Sequence, residues 1–236
     1  MARDLTDKVI LITGGSSGIG AATALACAEA GMHVSLVARR ADKLQTVAKQ
    51  VSSMGGKAQF FTANVGRQAD MKAAVEACWK TFGRLDAVFA NAGYGLFEEV
   101  LQTRDDQARA MFDTNYFGTV YTAQAALPRL NETISGLRHL LICSSAASEI
   151  GVPMLGVYSA TKAAQDSVAG AMRAELHGRD IHVTSVHPIG TRTPFMEVAG
   201  GGGHDNTPAM MQQSAEHVAK CVVRALRRPR PEVWPS

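Results

Sequence analysis

The stretch "VILITGGSSGIGAATALACAEAG" (residues 9–31) holds three structural signals in succession. The apolar run 9–12 predicts a short strand that is buried on both faces. A glycine-rich turn follows it. The alanine-rich segment after the turn has helical periodicity and stops at Gly31, where glycine favours a left-handed helix cap. A strand, a glycine turn and a helix in this order predict the first unit of an α/β domain.

The same alternation continues along the chain. Further short apolar runs are 33–38, 58–65, 85–90, 137–145 and 181–187, with a weaker one at 231–235. Helical patterns such as 69–83 separate them, which predicts right-handed crossovers and a doubly wound parallel sheet. No linker or repeat interrupts the pattern, so residues 1–236 are expected to form a single domain. Four consecutive glycines in the region 191–215 predict a mobile loop over the substrate.

Composition excludes several classes of protein. Of 236 residues, 46% are hydrophobic and 19% charged, and the net charge of +3 is too small to indicate nucleic acid. No apolar run approaches the roughly 20 residues that cross a bilayer. The scattered cysteines predict reduced thiols in a cytoplasmic protein and no metal site; they are Cys27, Cys78, Cys143 and Cys221.

One basic cluster, "RALRRPRP", lies near the C-terminus. It is interpreted as a solvated helix end, where cations complement the helix dipole. Nucleic-acid binding is the weaker alternative and would depend on Arg224, Arg227, Arg228 and Arg230.

The glycine turn has the features of a phosphate-binding loop. Gly14 permits a tight turn, Gly18 lets the backbone approach a phosphate, and Gly20 allows close helix–strand packing. Ser16 and Ser17 add hydroxyl donors at the helix N-terminus. The turn lacks the GK[ST] sequence of nucleotide hydrolases. A dinucleotide is therefore the expected ligand, and a structural turn without a ligand is the alternative.

The second strand ends at Ala38, where a site for NAD(H) would have an acidic residue. Arg39 and Arg40 follow it. A guanidinium group binds a 2′-phosphate, whereas a carboxylate would repel it. The sequence thus favours NADP(H) over NAD(H).

Five motifs together resemble the short-chain dehydrogenase/reductase family. They are "TGGSSGIG" (13–20), "NAG" (91–93), "NYFGT" (115–119), "SS" (144–145) and "YSATK" (158–162). The likeness extends from about Lys8 to Phe195. It implies a three-layer Rossmann fold with a parallel seven-stranded sheet, in the order 3-2-1-4-5-6-7, and helices on both faces.

The resemblance also implies roles for individual residues. Ser145 would hydrogen-bond the substrate oxygen, Tyr158 would act as general acid/base, and both would contact substrate. Lys162 would hydrogen-bond the nicotinamide ribose, and Asn115 would hold a water that links this lysine to solvent. The residues that match cofactor contacts are Gly14, Ser16, Ser17, Gly18, Ile19, Gly20, Asn64, Val65, Asn91, Ala92, Gly93, Pro188, Ile189 and Thr191, together with Tyr158 and Lys162. Ile189 stands where the family has glycine.

The spacing of Tyr158 and Lys162 places both side chains on one face of a helix. A free tyrosine, with a pKa of about 10, is a weak acid near neutrality. An adjacent ammonium favours the phenolate, so we expect Lys162 to lower the pKa of Tyr158.

These expectations combine into an NADP(H)-dependent oxidoreductase that acts on a secondary alcohol/ketone pair. The alternative is a catalytically silent dinucleotide-binding protein that senses redox state or binds a partner. Apolar residues are expected to line the substrate pocket and to favour a hydrophobic carbonyl compound; they are Ala146, Ala147, Val152, Met154, Phe195 and Met196. The family resemblance implies a homodimer or homotetramer that pairs through the helices containing Asn115 and Tyr158.

Overall fold

A computed structural model describes residues 2–134, 136–195, 199 and 212–235. Its main sheet has seven parallel strands in the order β3-β2-β1-β4-β5-β6-β9, which confirms the predicted order with β9 as the seventh strand. These strands are β1 (Val9–Thr13), β2 (His33–Ala38), β3 (Ala58–Thr62), β4 (Ala87–Ala90), β5 (His139–Cys143), β6 (His182–Val186) and β9 (Glu232–Val233). A separate ladder pairs β7 (Thr191–Arg192) with β8 (Gln213–Ser214).

The helices alternate with the strands. They are α1 (Gly18–Glu29), α2 (Ala41–Ser53), α3 (Gln68–Phe82), α4 (Asp105–Phe112), α5 (Gly118–Glu132), α6 (Gly156–Leu176) and α7 (Ala215–Arg227). A π-helical turn at Asp113–Phe117 joins α4 to α5. Gly31, with a φ of 86°, follows α1 in the left-handed conformation that the sequence predicts.

Alternation along the strands divides the core into two layers. On β1, Ile10 and Ile12 face α1, α2 and α7, whereas Val9 and Leu11 face α3, α5 and α6. All four side chains are fully buried, on one face of the sheet or the other, which is why residues 9–12 are all apolar. This arrangement is the three-layer Rossmann architecture.

Parallel strands end at one edge of the sheet, and the segments after β1, β4, β5 and β6 therefore meet there. The predicted loop 191–215 begins at this edge with β7 and returns with β8. Its four glycines, like Met196, lie outside the described residues. None of the described helices is long and apolar enough to cross a membrane.

Candidate active site

The turn after β1 depends on the absence of side chains. Gly14 and Gly18 have φ values of 67° and 54°, which L-residues rarely adopt. A Cβ on Gly14 would lie 2.8 Å from Nδ2 of Asn91, and one on Gly20 would overlap the carbonyl oxygen of Gly14. Ser17 is the N-cap of α1, but its hydroxyl accepts no hydrogen bond from the helix N–H groups, and no acid stands in the first turn. The N–H groups of this turn are thus suited to an anion.

Thr13 ties this turn to the segment after β4. Its hydroxyl accepts hydrogen bonds from the backbone N–H groups of Asn91 (3.0 Å) and Ala92 (3.1 Å). Asn91 also donates from Nδ2 to the carbonyl oxygen of Thr13, at 3.0 Å. These bonds join the segments after β1 and β4 through Thr13, which the sequence analysis did not select although it opens the first motif.

Arg40 reaches across the glycine turn. Its Nη2 donates to the hydroxyl oxygens of Ser16, at 3.0 Å, and Ser17, at 2.8 Å. Both arginines are exposed, and the charge of Arg39 acts on Tyr94: burial raises the pKa of Tyr94, and Arg39 lowers it by a smaller amount. Of the two arginines, Arg40 is therefore the one that hydrogen-bonds the glycine turn.

Asn64, one of the predicted cofactor contacts, is hydrogen-bonded within the chain. Oδ1 of Asn64 accepts from the N–H of Gly66 at 3.1 Å, and its own N–H donates to Oδ2 of Asp70 at 2.9 Å. Val65 is buried. These bonds fix the turn after β3 beside the site.

The two candidate acid–base residues lie on α6, as their spacing predicts. Tyr158 and Lys162 are both buried, and Nζ of Lys162 lies 5.6 Å from the centroid of the Tyr158 ring. Ser145 lies near enough to the phenol of Tyr158 to lower its pKa. Nζ of Lys162 donates to the carbonyl oxygen of Cys143 at 2.7 Å. Residues from β5, the segment after it and α6 thus form one centre.

The expected lowering of the Tyr158 pKa is wrong for this structure. Burial raises that pKa, since it removes the phenolate from water, and the nearby hydroxyl of Ser145 opposes the rise only in part. Burial also lowers the pKa of Lys162, while Cys143 and Asp166 work against this. Burial, and not the ammonium of Lys162, therefore determines the direction of the Tyr158 shift.

The two serines after β5 have different partners. Oγ of Ser145 accepts from the N–H of Ala147 at 3.1 Å, which caps a short 3₁₀ turn and orients the hydroxyl. Oγ of Ser144 points the other way and donates to Oδ2 of Asp166 at 2.7 Å. Of the two serines, Ser145 is the one that lowers the pKa of Tyr158.

Asn115 lies fully buried in the π-helical turn, a feature common at functional sites. Its Nδ2 donates to the carbonyl oxygen of Tyr94 and to Oγ1 of Thr161, both at 2.9 Å, and its Oδ1 accepts from the N–H of Tyr94 at 3.0 Å. The amide thus joins the segment after β4 to α6. Its role in holding a water stays a prediction.

The segment after β6 closes over the glycine turn. The carbonyl oxygen of Pro188 accepts from Ala146 at 3.0 Å, and that of Ile189 accepts from Oγ1 of Thr191 at 2.8 Å. Thr193, which the sequence analysis did not select, lies against the glycine turn: a Cβ on Gly18 would lie 3.1 Å from Cγ2 of Thr193.

An apolar wall stands beside the phenol. The rings of Phe195 and Tyr158 meet edge to face, with centroids 5.3 Å apart. A Cβ on Gly95 would lie 2.8 Å from Cζ of Phe195 and 3.2 Å from Cδ2 of Tyr158, so glycine is needed there. Four other predicted pocket residues are partly exposed: Ala146, Ala147, Val152 and Met154.

The arginines of the basic cluster lie elsewhere. Arg224 and Arg227 occupy the last turn of α7, and Arg228 follows it; all three are exposed. They are consistent with the interpretation as a solvated helix end.

Comparison with known proteins agrees with this geometry. The family described as short chain dehydrogenase matches residues 8–200. An uncharacterised oxidoreductase of Staphylococcus aureus is 38% identical over 184 residues, which cover 78% of each chain. The alcohol dehydrogenase of the archaeon Thermococcus sibiricus, complexed with 5-hydroxy-NADP, superposes with a TM-score of 0.85 at 27% identity and covers 96% of this chain and 95% of that one. The 3-ketoacyl-(acyl-carrier-protein) reductase of Brucella melitensis, complexed with NADH, gives a TM-score of 0.87 at 26% identity, with 98% and 97% covered.

Proposed function

The chain belongs to the short-chain dehydrogenase family, and on that premise we propose an NADP(H)-dependent oxidoreductase that transfers hydride between the nicotinamide and a secondary alcohol or ketone. Tyr158 is the general acid/base. The observation that carries this proposal is the burial of Tyr158 and Lys162 together on one face of α6, with Ser145 near enough to Tyr158 to lower its pKa.

The residues at the sheet edge fit a dinucleotide. Gly14 and Gly20 leave space that a Cβ would fill, and the uncapped N-terminus of α1 offers N–H groups to a pyrophosphate. Gly93 leaves a path toward Lys162, since a Cβ there would lie 3.3 Å from its Nζ. When bound, the nicotinamide would deliver hydride to a carbonyl carbon or accept it from an alcohol carbon.

The preference for NADP(H) is supported by Arg40 and Ala38. The guanidinium of Arg40 already lies beside Ser16 and Ser17, next to the phosphate turn, and position 38 has no carboxylate to repel a 2′-phosphate. Family membership alone does not predict which cofactor is preferred, because one structural neighbour was solved with an NADP derivative and another with NADH.

Proton transfer is assigned to three side chains. The hydroxyl of Ser145 orients and polarises the carbonyl oxygen of the substrate. Burial keeps the pKa of Tyr158 high, so the phenol is protonated at neutral pH and is ready to donate its proton to that oxygen. The ammonium of Lys162 stabilises the phenolate that remains, at 5.6 Å from its ring centroid. Alcohol oxidation would reverse these steps.

The substrate is proposed to be a hydrophobic carbonyl compound or secondary alcohol. The support is the contact of Phe195 with Tyr158, which places an apolar surface beside the proton donor. A panel of aliphatic, aromatic and polycyclic ketones with NADPH tests this. Activity restricted to highly charged sugars would contradict it.

Titration with NADPH and with NADH, followed by nicotinamide fluorescence, tests the cofactor. We expect tighter binding of NADPH, and loss of that preference when both Arg39 and Arg40 are replaced by Ala. Tighter binding of NADH would overturn the choice of cofactor. Binding without turnover of any carbonyl compound would instead support the silent dinucleotide-binding protein.

Assembly as a homodimer or homotetramer is supported by an aromatic strip along the π-helical turn and α5. Its rings contact one another in sequence, and Phe117 is 39% exposed; the strip consists of Phe112, Tyr116, Phe117 and Tyr121. Light scattering at micromolar concentration tests this, and a monomer would count against it.

A cytoplasmic location is proposed because all four cysteines are buried and free.

A further inference from the structure

Asp166 continues the catalytic face of α6. It follows Lys162 by four residues, as Lys162 follows Tyr158, so the three side chains stand in one row along the helix. Oδ2 of Asp166 accepts the hydrogen bond from Ser144 at 2.7 Å, and Ser144 directly precedes Ser145. Ser144 also lies 3.4 Å from the carbonyl oxygen of Lys162. Asp166 is therefore connected to both sides of the proposed acid–base centre.

The surroundings of this carboxylate are defined by several elements. Nδ1 of His187, after β6, lies 3.6 Å from Oδ2, and Glu149 approaches from the loop after the 3₁₀ turn. The thiol of Cys143, on β5, senses the charges of both Asp166 and Lys162. Within the part of the chain that the structure describes, Oδ1 of Asp166 is buried and receives no hydrogen bond. The carboxylate thus interacts mainly through its charge and through Ser144.

Lys162 needs such a charge. Its ammonium is buried, and its hydrogen bond to the carbonyl oxygen of Cys143 brings no negative charge to offset the loss of hydration. Cys143 first and Asp166 second raise the pKa of Lys162 and so oppose the effect of burial. Because burial raises the pKa of the Cys143 thiol itself, the carboxylate of Asp166 is the lasting charge on which Lys162 depends. A lysine that lost its proton here would no longer stabilise the phenolate of Tyr158.

We propose that Asp166 is a positioning residue of the acid–base centre: through Ser144 it fixes the segment that carries Ser145, and its negative charge keeps Lys162 in the ammonium form. The catalytic meaning of this assignment rests on the proposed function. The charge state of Lys162, however, can be measured without turnover, so the two can fail separately.

The direct test is the pH titration of Lys162 by NMR, with ¹³C-labelled lysine in the full chain and with the signal assigned by its loss in Lys162→Arg. In Asp166→Asn, Lys162 should lose its proton about one pH unit lower than in the wild type. Asp166→Glu, which keeps the charge, should restore most of that shift. Ser144→Ala, which removes only the hydrogen bond, should leave the titration unchanged. An unchanged titration in Asp166→Asn would overturn the electrostatic part.

Two controls remove other contributions. His187→Gln tests whether the ring opposite Asp166 causes the shift, and its titration of Lys162 should match that of the wild type. One ligand atom each from Glu149, Asp166 and His187 lie within 4.8 Å of one another, so all titrations contain a chelator to exclude metal ions. Dependence of the wild-type titration on His187 instead of Asp166 would refute the assignment.

Turnover provides the second readout. Ser144→Ala should lower kcat about tenfold, with the KM for NADPH unchanged, because a misplaced Ser145 affects the reacting groups more than cofactor binding. Wild-type kcat in this variant would overturn the positioning part, whether or not Asp166→Asn folds. In Asp166→Asn the alkaline decline of kcat should begin at lower pH, which a merely structural role would not produce. Absence of turnover in the wild type itself would refute the proposed function and leave the NMR result standing.

Discussion

The glycine turn (residues 14–20) and the proposed acid–base centre lie at the same edge of the sheet but are built differently. The centre consists of Asn115, Ser145, Tyr158 and Lys162. The turn is local: Gly14, Gly18 and Gly20 fall within seven residues, and each is required by backbone geometry. The proposed acid–base centre collects residues from the π-helical turn, the end of β5 and α6, and buries Asn115, Tyr158 and Lys162, so the pKa values of the last two depend on desolvation. The sequence of the glycine turn therefore predicts its backbone geometry. The motifs of the acid–base centre predict only which chemical groups are present.

The outcome at Tyr158 illustrates this difference. The spacing to Lys162 correctly predicts a shared helix face, yet the sign of the pKa shift is opposite to the expectation. Helix geometry follows from the sequence of α6 alone. The burial that raises the pKa of the phenol depends on Phe195 and Gly95, which come from other segments.

The largest expected effect is at the acid–base centre. Tyr158→Phe removes the proton donor and should lower kcat about 10³-fold, while the affinity for NADPH changes little. Tyr121→Phe, on α5, is the matched control and should retain activity. Steady-state kinetics and cofactor titration measure both. Loss of cofactor binding in Tyr158→Phe would show that the two regions are not separable.

Gly20→Ala should affect the other region. The added Cβ would overlap the carbonyl oxygen of Gly14, so we expect a loss of NADPH affinity of about 100-fold and of stability by about 1–3 kcal/mol. Gly170→Ala, also within a helix, meets no atom within 4 Å and should stabilise the protein by about 0.5–1 kcal/mol. Urea unfolding and fluorescence titration give both quantities. Equal behaviour of the two variants would refute the geometric account of the turn.

Arg40→Ala tests the specificity of that region. Loss of a charge-assisted contact should weaken NADPH binding by about 30-fold and leave NADH binding nearly unchanged. Lys43→Ala, an exposed cation one helical turn further on, is the control for general electrostatic attraction. A similar loss for both cofactors would mean that Arg40 supports the turn and does not read the 2′-phosphate.

The smallest expected effect is on stability, and it arises where the strands begin, at the end of the sheet away from the site. His139 starts β5 fully buried, and burial lowers its pKa to about 3. Below the unfolded value of about 6.5, only the unfolded chain takes up this proton, so stability should fall by about 1 kcal/mol between pH 7 and pH 5.5. His139→Gln should flatten this dependence in thermal unfolding. An unchanged slope would assign the acid sensitivity to other groups and complicate the pH profiles of the active site.

The fold was largely predictable from the sequence, because apolar runs and glycine turns carry local information. Even the weak run at 231–235 contains β9. The strand order came from the family resemblance, since periodicity does not specify which strands pair. The contacts that were missed all join distant segments: Thr13 with Asn91, Arg40 with Ser16, and Thr193 with the glycine turn.

The central claim is hydride transfer with Tyr158 as proton donor, and isotope transfer tests it most directly. The protein would be incubated with NADPH deuterated at the transferred position and with a hydrophobic ketone, and the product analysed by mass spectrometry. The account predicts an alcohol with one deuterium on the former carbonyl carbon, formed over many turnovers by the wild type and nearly absent with Tyr158→Phe. Bound NADPH without labelled alcohol from any ketone, or equal labelling by both proteins, would contradict it.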